Sequence, residues 1–303
     1  METLGRFADI DEVGKVDNVT NLINERARYD CLMSRLPFRL IYDGEHAGDV
    51  NMARDEAISR AVSAGAQPPT LRFYGWAPAA ISIGQAQKYD SIDHGACTQD
   101  GVGVVRRSTG GLAILHTDEL TYSVALPKEH PIAEGDLMTS YRRIADAILV
   151  ALDRLGVRDA RASRVAREDK AKTGVCFEAP SDYEVVGAGR DGLIRKLVGS
   201  AQWRRVDGVM QHGSLPLTGD IARITRYLLD TPAPEAVREH AMTLEDATSQ
   251  TLAWRAAAEV WAGAFADHLC LDLTEGALSM PESSAADVLL REKYGEPSWT
   301  RRR

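Results

Sequence analysis

Short β-prone runs crowd the middle of this chain, and their spacing constrains the fold more than any other feature. RLIYD (39–43), LRFYGW (71–76), AISIGQ (80–85), GVGVVRR (101–107), LAIL (112–115) and LTYSVAL (120–126) succeed one another, most with only turns between them. Two helical periodicities punctuate the series. Val50, Ala53, Ala57, Ile58, Ala61 and Val62 make one apolar stripe within residues 49–64. Leu137, Tyr141, Ile144, Ile148, Leu152 and Leu155 make a second, with Gly156 as its natural stop. YEVVG (183–187) and IRKLVGSAQWRR (194–205) are two further runs about a turn marked by Gly189 and Gly192. A doubly wound sheet needs a helix between successive strands. Strands joined by short turns predict instead an α+β fold, a mixed or largely antiparallel sheet flanked by helices.

The rest of the chain is plainer. The polar stretch RDARASRVAREDKAKTG (158–174) reads as a mobile loop. From Thr218 the pattern is mostly helical, over 218–229 and 244–269, and Pro281 opens a last helix. Residues 1–35 have weak periodicity and read as an N-terminal extension, which leaves 36–303 as one domain with a helical C-terminal part. A net charge of −8 and a pI near 5.5 exclude broad nucleic-acid binding, which needs a basic face. Local basic pairs stand at Arg106/Arg107, Arg142/Arg143 and Arg204/Arg205, and the arginines at 301–303 read as a solvated tail. With no run of 18 apolar residues, no membrane span is expected. The N-terminus lacks the basic start and apolar block of a secretory signal, so the expected compartment is the cytoplasm. The four cysteines are widely spaced without a C-x-x-C pair, so neither a zinc site nor a disulfide framework is implied.

Two regions could carry chemistry. RRSTGGLAILHTDELTYS (106–123) sets arginines, Thr109, Gly110 and Gly111 ahead of a short strand and His116. Arginine holds anions through forked hydrogen bonds, and a glycine backbone can lie close to a ligand. The same pattern also serves a plain hairpin turn. His116 reads as a side chain that holds a loop rather than one that moves a proton, and His212 reads as a structural histidine. The second region holds Cys176 and Lys196. A lone cysteine is commonly a small core hydrophobe. If the two runs pair about residues 188–193, however, Lys196 returns toward the start of the first strand, toward Cys176. An ammonium beside a thiol lowers the thiol pKa and makes a nucleophile suited to thioesters. Gly199 and Ser200 inside a strand mark either close approach of a ligand or backbone, or a bulge. Phosphate-loop, H-E-x-x-H and G-x-S-x-G patterns are missing from the sequence.

Taken in order, RRSTGG…H…LTYS, Cys176-Phe-Glu-Ala-Pro-Ser, RKLVGSAQ and QHGSLPL resemble the biotin/lipoate protein ligase superfamily. Within it they look like the ligase-like protein octanoyltransferases of lipoate biosynthesis. The likeness runs from about Phe38 onward and includes LRFYGWAPAAISIGQAQ and REKYGEPSWTRR. It implies a catalytic domain over 36–303, with octanoyl-acyl carrier protein as donor and a lysine of a lipoyl domain or glycine-cleavage H protein as acceptor. It also implies Cys176 as the acylated residue, Lys196 as the group that lowers its pKa, and no cofactor, ATP included. Neither nucleic acid nor membrane is an expected partner. By the same resemblance Arg72, Arg107, Thr109, Gly110, Gly111, His116, Gly199, Ser200 and Ala201 would bind substrate. The turn before Lys196 is longer than the short hairpin usual in the family. Two alternatives share the fold: an ATP-dependent lipoate–protein ligase, which would not need Cys176, and a non-catalytic member that binds lipoyl domains.

Overall fold

The strand-like runs do form strands, but they divide between two sheets, and close neighbours in sequence such as 70–76 and 80–83 fall in different ones. A computed structural model of the chain describes residues 35–163, 184–230 and 232–302. The chain divides into a short unit, Met1–Leu36, and a main unit, Pro37–Arg303, which holds the elements below. The strands are β1 (Leu36–His46), β2 (Thr70–Trp76), β3 (Ala80–Ile83), β4 (Gly103–Arg106), β5 (Ile114–His116), β6 (Glu119–Pro127), β7 (Arg158–Ser163), β8 (Glu184–Ala188), β9 (Ile194–Arg204), β10 (Gly208–Pro216) and β11 (Leu271–Glu275). Eight form one sheet in the order β11-β1-β2-β6-β10-β9-β8-β7, and β4-β3-β5 form a second. β1 runs parallel to β2, and β3 to β4. The β2–β6, β6–β10, β10–β9, β9–β8 and β8–β7 pairs are antiparallel, so the α+β reading holds.

Helices cover both faces of the large sheet. Successive residues of a strand point to opposite sides. On β6, Ser123 reaches Asp55 of helix α1 (Gly48–Ser63), as its hydroxyl donates to that carboxylate at 2.8 Å. Its neighbour Tyr122 packs instead on Trp261, ring centroids 5.5 Å apart. The smaller helices α2 (His94–Asp100), α4 (Pro234–His240) and α5 (Leu244–Thr248) are joined by the longer α3 (Leu137–Arg154) and α6 (Trp254–His268), the latter carrying Trp261. Helices α7 (Met280–Leu289) and α8 (Pro297–Thr300) come last. α1 and α7 share a core in which Met52, Tyr74, Trp76, Val105, Leu289 and Tyr294 are buried together.

Several sequence expectations need correction. Residues 158–163 are not loop but the edge strand β7, paired to β8 with a register shift between Arg158 and Arg161. Asp159, at φ +51°, supplies that irregularity, and its short polar side chain tolerates the left-handed region. Charged side chains on an edge strand hide the period-two signal, because only one face is buried and the other can be fully polar. The expected helix over 218–229 is a 3-10 segment, Ile221–Tyr227. The one over 244–269 is broken where Ser249 caps α5 at φ +62°. The tail arginines are not simply solvated, since the Arg302 guanidinium lies 3.4 Å from the centre of the Trp299 ring.

Candidate active site

The turn from Arg106 to Gly111 is closely anchored, each of its first four residues making side-chain hydrogen bonds. The Arg106 guanidinium is fully buried and donates to the carbonyls of Gly84 at 2.8 Å and Gln87 at 2.7 Å. Arg107 folds back on its own loop, donating to Gly110 O and Leu112 O, each at 2.8 Å, and to Ser82 O at 2.8 Å. Ser108 meets Tyr294, hydroxyl to hydroxyl at 2.8 Å. Thr109 pairs with His212 Nε2 at 2.8 Å. A peptide with its arginines spent this way has a fixed shape, and both Arg106 and Arg107 are buried. Two glycines are required here. Gly111 sits at φ +92°, and a Cβ on Gly84 would overlap the Gly111 carbonyl oxygen.

Below Thr109 lies a buried carboxylate. Asp55 on α1 accepts from Arg72 Nη1 at 2.7 Å and Ser123 Oγ at 2.8 Å through Oδ1, and from Tyr74 Oη at 2.8 Å and His212 Nδ1 at 3.2 Å through Oδ2. Burial pushes the Asp55 carboxyl up, but the Arg72 charge and the His212 and Tyr74 hydrogen bonds outweigh it and hold it below the ordinary range. Burial pushes the His212 imidazole below its usual value against the pull of Asp55. His212 is therefore neutral at pH 7. Its Nδ1–H faces the carboxylate, which assigns Nε2 as acceptor of the Thr109 hydroxyl proton. Arg72, 0% exposed, also donates to Asp43 at 2.8 Å and Asn51 Oδ1 at 2.8 Å.

His116 holds a neighbouring polar cluster. It bridges Ser82 Oγ and Glu119 Oε1, both at 2.7 Å, and stacks on Trp76 with centroids 3.8 Å apart. Those contacts fit a loop-holding histidine.

β8 and β9 pair about the turn at 189–193, where Gly192 takes φ +80°. Val186 lies opposite Lys196, and the buried Lys196 ammonium donates to Glu184 Oε1 at 2.8 Å. Lys196 thus does return to the start of β8. Cys176 lies outside the described residues. Gly199, Ser200 and Ala201 pair regularly with Ser214, Gly213 and His212 of β10, and the irregularity in β9 falls earlier, next to its pairing with Val185 and Val186. Close backbone approach is seen at Gly213, where a Cβ would stand 2.5 Å from Ser200 Oγ and 2.6 Å from the Tyr122 ring.

The structure therefore brings Arg72 and Thr109 together through Asp55 and His212, with Ala201 beside His212. Ser200 turns to the opposite face, where its hydroxyl lies 2.9 Å from Tyr122 Oη. Sequence reasoning missed Asp55, Tyr74 and Glu56, which sit in an ordinary-looking helix and strand. The one available signal was two adjacent acids, Asp55 and Glu56, next to the apolar stripe of α1. His212 has both ring nitrogens hydrogen-bonded, to Thr109 and to Asp55, as the structural reading expects.

Octanoyltransferase LipM of Symbiobacterium thermophilum is 39% identical over 278 residues, 88% of this chain and 98% of that protein. Octanoyltransferase LipM of Moorella thermoacetica is 38% identical over 280 residues, with 88% and 98% covered. Among solved structures, a bipartite lipoate protein ligase from Thermoplasma acidophilum superposes with a TM-score of 0.72 at 23% identity, covering 88% of this chain and 96% of that one. Lipoate-protein ligase A bound with ATP gives a TM-score of 0.73 at 22% identity, over 88% and 99%. The two superpositions show a shared fold. Residues 48–266 match the lipoyl protein ligase A/B catalytic domain, and with relatives this similar along nearly their whole length, the chain belongs to that family.

Proposed function

We propose that this protein is an octanoyltransferase of lipoate biosynthesis, moving an octanoyl group from acyl carrier protein to a lysine of a lipoyl domain or glycine-cleavage H protein in the cytoplasm. The observation that carries this reading is the 39% identity to an octanoyltransferase over 98% of that protein's length. In the first step the Cys176 thiolate attacks the carbonyl carbon of the octanoyl thioester. The carbon–sulfur bond to the carrier's thiol breaks, and that thiol leaves as a thiolate and takes up a proton. In the second step the neutral amine of the acceptor lysine attacks the Cys176 thioester. An amide forms, the Cys176 thiolate is released, and the amine's proton passes to solvent. A thioester is exchanged first for another thioester and then for an amide, which is downhill, so no ATP is required.

The chain's own residues supply three things. Lys196 sits on β9 with its ammonium at Glu184, eight residues after Cys176 in sequence, and a cation there favours the thiolate. In this reading the loop of Arg107, Thr109, Gly110 and Gly111 lines the acyl pocket with Gly199 and Ala201, while His116 acts on it through Ser82 and Arg72 through Asp55 and His212. The packed sheet and its buried polar network keep that loop from rearranging.

The test is intact-mass measurement after incubation with octanoyl-acyl carrier protein. The protein should gain one octanoyl group, lose it to hydroxylamine, and gain none as the Cys176→Ser variant. Absence of any gain, together with modification of a lipoyl domain that demands octanoate and ATP, would replace this reading with the ATP-dependent ligase.

A further inference from the structure

The motif REKYGEPSWTRR (291–302) takes no part in the chemistry above, yet its side chains converge on the loop that begins at Arg106. α7 runs into a π turn, Leu290–Tyr294, the wider helical geometry often found near functional sites. From that turn two consecutive residues reach one oxygen: Lys293 Nζ and Tyr294 Oη both donate to Glu56 Oε2, at 2.6 and 2.5 Å. Both also touch Ser108, the ammonium donating to its Oγ at 3.1 Å and the phenol hydroxyl lying 2.8 Å from it. A second link forms two residues earlier in the loop. Trp299 Nε1 donates to the Arg106 carbonyl at 2.8 Å, while Arg106 Nε and Nη2 donate to Thr300 O at 3.1 and 2.9 Å.

Residues 106 and 108 of the loop are thus held by residues 293–300, while 107 and 109 are held by the loop itself and by His212. Glu56 is 1% exposed and stands against Ser108. Without Lys293 the Oε2 of Glu56, the oxygen that faces the loop, would lose its ammonium and keep Tyr294, while Arg60 still pairs with Oε1.

We propose that residues 293–300 are the positioning element of the acyl-binding loop: Lys293, Tyr294 and Trp299 fix the Arg106–Ser108 backbone and thereby set the affinity for the acyl donor without touching it. This rests on the reading that the loop lines the acyl pocket. A purely structural role would lower stability alone; a positioning role acts on one substrate of the two.

The test uses the full chain and the variants Lys293→Met, Tyr294→Phe and Trp299→Phe, with Lys293→Arg as the conservative rescue. Octanoyl transfer is followed at varied octanoyl-carrier protein and varied acceptor domain. Losing one hydrogen bond to a charged group should raise the donor KM about tenfold. The acceptor KM should stay within about twofold, and Lys293→Arg should return the donor KM toward wild type. Hydrogen exchange over residues 104–113 should accelerate in the Met and Phe variants. An unchanged donor KM with unaltered exchange, or activity that merely follows the folded fraction in thermal melts, overturns the positioning role. A wild-type protein that gains no octanoyl mass sinks the transferase reading instead, and the exchange comparison still decides the positioning of the loop.

Discussion

Asp55→Asn is the sharpest probe of the buried network. The two side chains have nearly the same size, so the change is electronic. Asp55 accepts four hydrogen bonds, from Arg72, Ser123, Tyr74 and His212. Asparagine offers one carbonyl oxygen and turns an amide NH2 toward the other donors, so two of the four lose an acceptor. Each orphaned buried donor costs about 1–3 kcal/mol. Arg72 also loses one of its two counter-charges but retains Asp43, which keeps the total near the lower end of the roughly 3–5 kcal/mol seen when a buried pair is broken. The expected loss is about 3 kcal/mol, or about 8 °C in Tm for a chain of this size. The loss should depend on pH. Burial opposes ionisation of Asp55, but Arg72 and the hydrogen bonds prevail and depress its pKa in the folded state. Its contribution is therefore complete above the unfolded carboxylate value of about 3.9 and disappears as pH falls through the lower, folded value. Urea unfolding of both proteins at pH 7 and at descending acid pH measures this. A gap under about 1 kcal/mol at pH 7, or one that fails to narrow in acid, would refute the reasoning.

Gly84→Ala should leave the fold intact but force the loop outward, because the new Cβ would overlap the Gly111 carbonyl, a backbone atom that cannot swing aside. Overpacking of this kind costs about 1–3 kcal/mol, and octanoyl uptake should slow on the order of tenfold; wild-type uptake rates would show that the loop tolerates displacement. His130 tests the sign of a different titration. Burial lowers its imidazole to about 4 while its ring packs edge-on against Phe38, centroids 5.8 Å apart. The unfolded chain therefore binds the extra proton between about pH 6.5 and 4, so stability is full above that window and falls by about 3 kcal/mol down through it. His130→Gln should remove this slope from denaturation midpoints measured between pH 7 and 4.

The sequence by itself determined the class of fold and the frame of the site. Period-two runs at short spacing predict a strand-rich α+β fold, though not which strands pair, and the Gly189–Gly192 turn dictates that Lys196 returns beside the start of β8. Those are local rules, which operate over a few residues. The edge strand β7 escaped because its charged residues face solvent and leave no alternation to read. The buried network escaped for a different reason. Asp55, Arg72, Tyr74, Ser123 and His212 lie on four separate elements, and nothing local marks Asp55 as an interior carboxylate. Only the stacking of α1 on β2, β6 and β10 brings their donors within 3.2 Å of one acid. The same holds for Tyr294, 186 residues from the Ser108 hydroxyl it meets. Periodicity can say which face of an element is buried, but the partner of a buried polar group is fixed by where distant elements cross, and that was decided by tertiary packing alone.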